Sequence, residues 1–287
     1  MSASSTPPEI FNRKRRRALR ERAGRRGGNS FLWQRIAEDI ADRLADVSRT
    51  FEDVLVIGPM AAFGHQILAG RGANITLAAL SSAELPLDGG IIIEEDRLPF
   101  SPASFDLVIC AGTLDSVNDL PGALVQIRRC LQPDGLFLGH MFGAGTLSTL
   151  KALLLAAEPD RASPHIHPQI DLRAAADLLT RTGFALPVAD METSRVRYGD
   201  WRRLIDDVRD MGVGNALAGP RRYPGRSIVD HLDQLWRARS VNDKVEELFV
   251  HLHLSGWAPS ADQPKPAKRG SGTVSLASVL PPTKRAA

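Results

Sequence analysis

Residues 54–57 read Val-Leu-Val-Ile and stop at Gly58-Pro59, a short run that is wholly apolar and mostly β-branched. A strand with apolar side chains on both faces belongs inside a parallel sheet that helices cover on both sides. The pattern recurs. Residues 75–80, 91–93, 105–110 and 136–141 are further strand-like runs, with helical stretches around 67–69 and over 120–130, the latter halted by Pro133-Asp134-Gly135. Strands alternating with helices in this way predict a Rossmann-like, doubly wound α/β sheet.

Ahead of the first strand, Phe31, Leu32, Ile36, Ile40, Leu44 and Val47 repeat near 3.6 residues, with Ser30 placed to cap the helix. Beyond residue 146 the spacing predicts helices over 146–157 and 171–182 and a strand over 184–191. A helical insertion follows over about 194–240, then a last strand over 245–254. The expected organisation is a disordered and basic helical N-terminus (1–28), a main domain (29–258) and a flexible tail (259–287) rich in Pro, Lys, Gly and Ser.

Charge sharpens the picture of the ends. The formal net charge is only +3, yet residues 13–26 read RKRRRALRERAGRR and the tail carries Lys265, Lys268, Arg269, Lys284 and Arg285. Such a basic helix is either a solvated face or a contact for an acidic protein or lipid surface. Nucleic acid is not expected, because no aromatic residues interleave to stack on bases. Cys110 and Cys130 form no Cys-x-x-Cys pair, so the expectation is a reducing compartment with neither a disulfide framework nor a metal site. No apolar run approaches the ~18 residues of a membrane span. No apolar segment follows the basic start as in a secretory signal. A cytoplasmic protein is expected, with its basic ends available to rest on the inner membrane face.

In a doubly wound sheet the ligand lies outside the carboxyl ends of the strands, beside the first strand. The loop there, Gly58-Pro59-Met60-Ala61-Ala62-Phe63-Gly64, keeps a glycine at each end but places Pro59, Met60 and Phe63 where openness is needed. The second strand would end in a carboxylate for the ribose hydroxyls. Ala79 stands there instead, a loss of ~1.5–3 kcal/mol at the usual worth of hydrogen bonds to charged groups. The third strand ends in Glu94-Glu95-Asp96, one of which could accept from an adenine amino group or simply be solvated. His165 and His167 flank Ile166 in a Pro-rich loop, while His251 and His253 share a strand face without an evident third metal ligand. No Gly-x-Ser-x-Gly elbow, P-loop or catalytic acid–base residue announces itself.

From 98 to 147, LPFSPASFDLVICAGTLDSVNDLPGALVQIRRCLQPDGLFLGHMFGAGTL, the chain resembles the class I S-adenosylmethionine-dependent methyltransferases, in the branch of the methyltransferase-fold assembly factors of respiratory complex I. The malonyl-carrier-protein O-methyltransferases are a related branch. The likeness extends to FNRKRRRALRERA, SPHIHPQIDLRAAADLLTRTGF, VRYGDWRRLIDDVRDMGVGNAL, SGWAP and KRGSGTVSL, covering about 11–276. It implies a class I methyltransferase sheet with N-terminal helices and a helical insertion before the last strand. It also implies S-adenosylmethionine as cofactor and, as partner, a quinone-module subunit of complex I modified on an arginine. Carried over, the glycine loop falls on Gly58 and Gly64, the ribose acid on Ala79, the adenine-side acid on Glu94 with Asp96 beside it, and the fourth-strand edge on Ala111 and Gly112. The branch's usual His-Trp is Asp115-Ser116 here, and its Gly-Gly-Asp is Gly143-Ala144-Gly145. Asp115, Tyr198 and Trp201 are the expected substrate-facing positions. Two alternatives stand beside the enzyme reading, a non-catalytic chaperone on the same fold and an O-methyltransferase of a small molecule or carrier protein.

Overall fold

The computed structural model describes residues 9–27, 30–87, 89–158, 164–220 and 224–263. The expected disorder of the first residues and the basic, flexible end of the tail lie outside them.

Helices α1 (Arg13–Arg25) and α2 (Phe31–Ala45) precede β1 (Asp53–Ile57), and the Ser30 hydroxyl caps α2 as expected. The alternating half follows as α3 (Gly64–Ile67), β2 (Asn74–Ala79), β3 (Ile91–Ile92), β4 (Phe105–Ala111), α4 (Leu120–Cys130) and β5 (Leu131–Phe142). The second half contributes α5 (Ser148–Ala157), α6 (Leu172–Arg181), β6 (Ala185–Tyr198), α7 (Trp201–Asp210), α8 (Arg226–Arg239) and β7 (Val245–Trp257). One seven-stranded sheet results, in the order β3-β2-β1-β4-β5-β7-β6, with β7 antiparallel to both its neighbours and the other pairings parallel.

The apolar run 54–57 is buried on both faces. Val54 and Val56 pack with Leu32, Ile36, Ile40 and Leu44 of α2, whereas Leu55 and Ile57 pack with Leu124 and Ile127 of α4 on the other side. Adjacent residues of one strand thus serve two cores, as strand alternation requires.

Three sequence expectations shift. The strand read as 184–191 runs on to Tyr198, so the insertion begins with α7 at Trp201 and not near 194. Its polar alternation, Met-Glu-Thr-Ser-Arg-Val-Arg, comes from an edge strand paired residue by residue with β7, and cross-strand pairing overrides the helical propensity of its charged residues. The fifth strand starts at Leu131, because Asp134 (φ 62°) absorbs the expected turn at a register shift opposite Phe105 and Leu107. The third departure is α1. Its buried face is Arg16, Arg20 and Ala23, so the basic run is not a solvated helix.

Three histidines meet on the α2 side of β5 and β7, beside Phe142. His140 pairs with His253 across the ladder, and its Nε2 lies 3.0 Å from Nδ1 of His251, whose Nε2 lies 3.0 Å from the Ser194 hydroxyl. Burial, with the neighbouring His253, pushes His251 down to about 4 and His140 well below the ordinary range. The unfolded chain takes up a proton near 6.5 that folded His251 refuses until about 4. This contribution to stability is therefore complete above 6.5 and drains away as pH falls towards 4, by up to about 3 kcal/mol. Urea-unfolding curves at stepped pH should show that loss in the wild type, and a shallower one in His251→Leu.

Candidate functional site

At the switch point β1 lies between β2 and β4. The loop after β1 is a tight turn over Gly58–Phe63 in which Pro59, Met60 and Ala61 are buried. Gly58 (φ 84°) must be glycine, since a Cβ there would stand 3.0 Å from the Ala111 carbonyl oxygen and 3.1 Å from a Thr113 methyl carbon. Gly112 (φ 74°), after β4, is pinned more tightly: a Cβ would lie 2.5 Å from the indole of Trp33. The loops after β1 and β4 therefore touch, with the Trp33 ring against their junction. Gly64 backs onto β2, where a Cβ would meet Leu77 at 2.8 Å. Ala79 and Ala111 are fully buried, and the Ala79 carbonyl accepts from Ile93 N–H at 2.9 Å, so the end of β2 presents no side-chain acceptor.

The acidic edge is not free. Arg13 forms a two-pronged pair with Asp96 (2.9 and 2.6 Å) and reaches Glu94 at 3.2 Å, while Arg17 reaches the other oxygen of Glu94 at 2.8 Å. Beneath them Arg16 grips Glu95 with two bonds of 2.6 and 2.7 Å and donates to the Thr113 carbonyl and hydroxyl and to the Ser116 hydroxyl. Arg20 donates to the carbonyls of Gly112 and Met211, lies 3.7 Å from Glu84, and stacks 5.9 Å from the Trp33 ring centroid. Burial would raise the Glu95 carboxyl, but the Arg16 charge and its hydrogen bonds, with help from Thr113, hold it below the usual carboxylate range. Glu84 is the opposite case: burial raises it and Arg20 only partly compensates.

None of these arginine contacts was foreseen. A search for helical spacing looks for apolar stripes, and this stripe is Arg13, Arg16, Arg20 and then Ala23-Gly24. The legible signal was the match of that cationic stripe to Glu94-Glu95-Asp96.

Beside this closed cleft lies a cavity of about 830 Å³ enclosed by α1, α5, α7, α8 and the 164–169 loop. Its walls are largely apolar, with Leu150, Ile166, Ile205 and Leu232 among them, and arginines of α1 stand at its border. Asp115 and Trp201 line it. Asp115 Oδ1 is buried and has no hydrogen-bond partner among the described residues, though its charge acts on Arg16 and His167. His167 is pushed down by burial, and Nε2 accepts from Ala216 N–H at 2.8 Å. Trp201 donates to Asp233 at 2.7 Å. Tyr198 is not among the cavity's lining residues: it is buried in the core and donates to Asp207 at 2.7 Å. The expectation that Tyr198 faces substrate is therefore corrected; the extended β6 carries it into the core.

The His251–His253 face does gather carboxylates. Asp39, Glu192 and His253 bring ligand atoms within 4.8 Å of one another. Both carboxylates are already held by arginines, Asp39 by Arg43 at 2.8 Å and Glu192 by Arg35, so the group is an ion-pair network. Cys110 and Cys130 are buried free thiols.

Tested against an adenosyl cofactor, the residues do not fit while α1 is in place. The strand end expected to carry a ribose acid is Ala79, the acidic edge is paired with arginines, the Gly112 carbonyl accepts from Arg20, and the Trp33 ring lies against Gly112.

This strand order, with its antiparallel seventh strand and a crevice at β1/β4, defines a protein of the class I methyltransferase fold. The family described as Methyltransferase domain matches residues 56–139. A candidate methyltransferase of Bacillus halodurans superposes with a TM-score of 0.51 at 11% identity, over 77% of this chain and 99% of the other. Among curated proteins, the human "Arginine-hydroxylase NDUFAF5, mitochondrial" is 32% identical over 99% of this chain and 89% of its own length. The mouse protein of that name is 33% identical over 96% and 85%. A malonyl-[acyl-carrier protein] O-methyltransferase of Methylovorus is 30% identical over 58% of this chain and 55% of its own. The chain belongs to the family of methyltransferase-fold assembly factors that its sequence resembles, together with these arginine hydroxylases. Among the described residues no helix is long and apolar enough to cross a membrane.

The buried pair yields a direct prediction. Arg16→Ala strands Glu95 and should cost ~3–5 kcal/mol in urea unfolding, whereas Arg16→Met combined with Glu95→Met should recover most of that loss.

Proposed function

We propose that this protein acts on a subunit of respiratory complex I during assembly, receiving an arginine side chain of a quinone-module subunit in the cavity beside Asp115. One observation carries the reading: Asp115 lines an apolar cavity, and its Oδ1 has no hydrogen-bond partner among the described residues. An arginine is the side chain that matches this pairing. Its aliphatic stem suits apolar walls, and its guanidinium supplies the donors that an uncompensated carboxylate lacks. Trp201 stands on the same wall and already takes one guanidinium, that of Arg202, 4.5 Å from its ring centroid. The relatives named arginine hydroxylases favour an oxygen as the group added, a two-electron oxidation for which a peroxide, or dioxygen with a reductant, would have to enter beside the arginine, and the closed nucleotide cleft speaks against a methyl group from S-adenosylmethionine. In either chemistry Asp115 would orient the guanidinium and the apolar walls would exclude water, so positioning is the protein's main contribution.

The second reading, a scaffold without catalysis, is favoured by that same closed cleft. Co-expression with the quinone-module subunit and mass spectrometry of its arginines separates the two. One added oxygen or one added methyl group names the reaction, and an unmodified arginine in a stable complex names the scaffold. Asp115→Asn keeps the shape and removes the charge. It should weaken capture of an arginine-bearing peptide from that subunit at least tenfold, the loss expected for a hydrogen bond to a charged group of ~1.5–3 kcal/mol. A lysine-for-arginine peptide should lose as much, because it cannot present the same fork.

A further inference from the structure

We propose that α1 is an intrachain occupant of the nucleotide cleft, so that S-adenosylmethionine and a docked α1 exclude one another and the chain binds this cofactor only when α1 is withdrawn. Three independent contacts support this. The first is at the carboxyl ends of β3 and β4, where a nucleoside would find its acceptors. There Arg16 takes both oxygens of Glu95 and the Thr113 carbonyl, and Arg20 takes the Gly112 carbonyl. The second is at the loop junction. The Arg20 guanidinium lies over Trp33, whose ring edge abuts Gly112; a cation on an aromatic face thus fills the place next to the glycine turns. The third is beyond β2. Gly24 is seated so closely that a Cβ on it would stand 2.1 Å from the Ala83 carbonyl oxygen.

What holds α1 is also what makes it removable. Between Arg13 and Arg25 the helix buries a single apolar side chain, Ala23, alongside Arg16 and Arg20. The attachment is therefore mostly ionic and polar, the kind of contact that a polar ligand can replace one for one. Lifted away, the helix would face its own repulsion. Arg13 and Arg17, and again Arg16 and Arg20, are like charges four residues apart, a destabilising arrangement on a helix. Docking against Glu94, Glu95 and Asp96 cancels it. The helix is consequently either docked and ordered, or released and loosened, with little reason to persist between.

The inference does not depend on the arginine substrate reading, since its readouts are cofactor binding and helix protection. The full chain is titrated calorimetrically with S-adenosylmethionine and with S-adenosylhomocysteine, and amide exchange over 13–25 is followed with and without ligand. The wild type should show no binding up to millimolar ligand, or binding accompanied by faster exchange in α1. Gly24→Leu, which cannot seat against Ala83, should exchange faster over 13–25 and bind at least tenfold more tightly. Should that variant fail to fold, Arg13→Ala with Arg17→Ala loosens the outer pairs alone and should move both readouts in the same direction. Micromolar binding by the wild type with α1 protection unchanged would overturn the proposal, because helix and cofactor would then coexist. So would variants whose α1 exchanges faster but whose affinity stays undetectable, because the cleft would then be closed by its own residues.

Discussion

The Arg16–Glu95 pair is the interaction on which the arrangement of this molecule's working face depends. It joins the first helix to the end of β3 and, through Thr113 and Ser116, to the turn after β4. Arginine is needed because the three nitrogens of its planar fork reach two carboxylate oxygens, a carbonyl and two hydroxyls at once, which a lysine ammonium cannot do. Such a pair contributes little net stability, since desolvating both ions offsets much of their attraction, but removing one partner is costly. It therefore works as a geometric fastener. It fixes where α1 lies, and α1 in turn forms one wall of the neighbouring cavity.

The fold thus separates two places that a methyltransferase normally joins. The crevice at the switch point is packed with the chain's own side chains, whereas the space beside it, between α5, α7, α8 and the 164–169 loop, remains open at about 830 Å³. Asp115 belongs to both, for its charge acts on Arg16 in the packed region while the residue lines the open one. A ligand entering the cavity would be felt across this carboxylate by the fastener itself.

The parallel half of the sheet was legible because its strands are continuous apolar runs that nothing but a covered sheet can accommodate. Asp115 and Trp201 were singled out beside the family resemblance, not through any pattern of their own, and both line the cavity. Tyr198 was misplaced because β6 is an edge strand, and its polar alternation carries no burial signal until β7 is beside it. The arginine stripe was invisible for a different reason. Periodicity methods equate burial with apolarity, and here the buried positions of a helix are its most strongly charged residues. Their acidic partners lie about eighty residues away, so complementary charge alone, and no spacing, joins the two segments in the sequence.

The helix after β1 has a further consequence. In nucleotide-binding sheets that helix points its amino end at the ligand, and its summed peptide dipoles give the crevice a permanent positive pole. Here α3 is a single turn of 4 residues, reached through a tight turn whose Pro59 has no N–H to offer. The main chain therefore lends this crevice almost no field of its own. The cations that balance its carboxylates are guanidinium groups carried on a separate helix, so the polarity of the site is portable: it arrives and departs with α1, where in other members of the fold class it is built into the backbone.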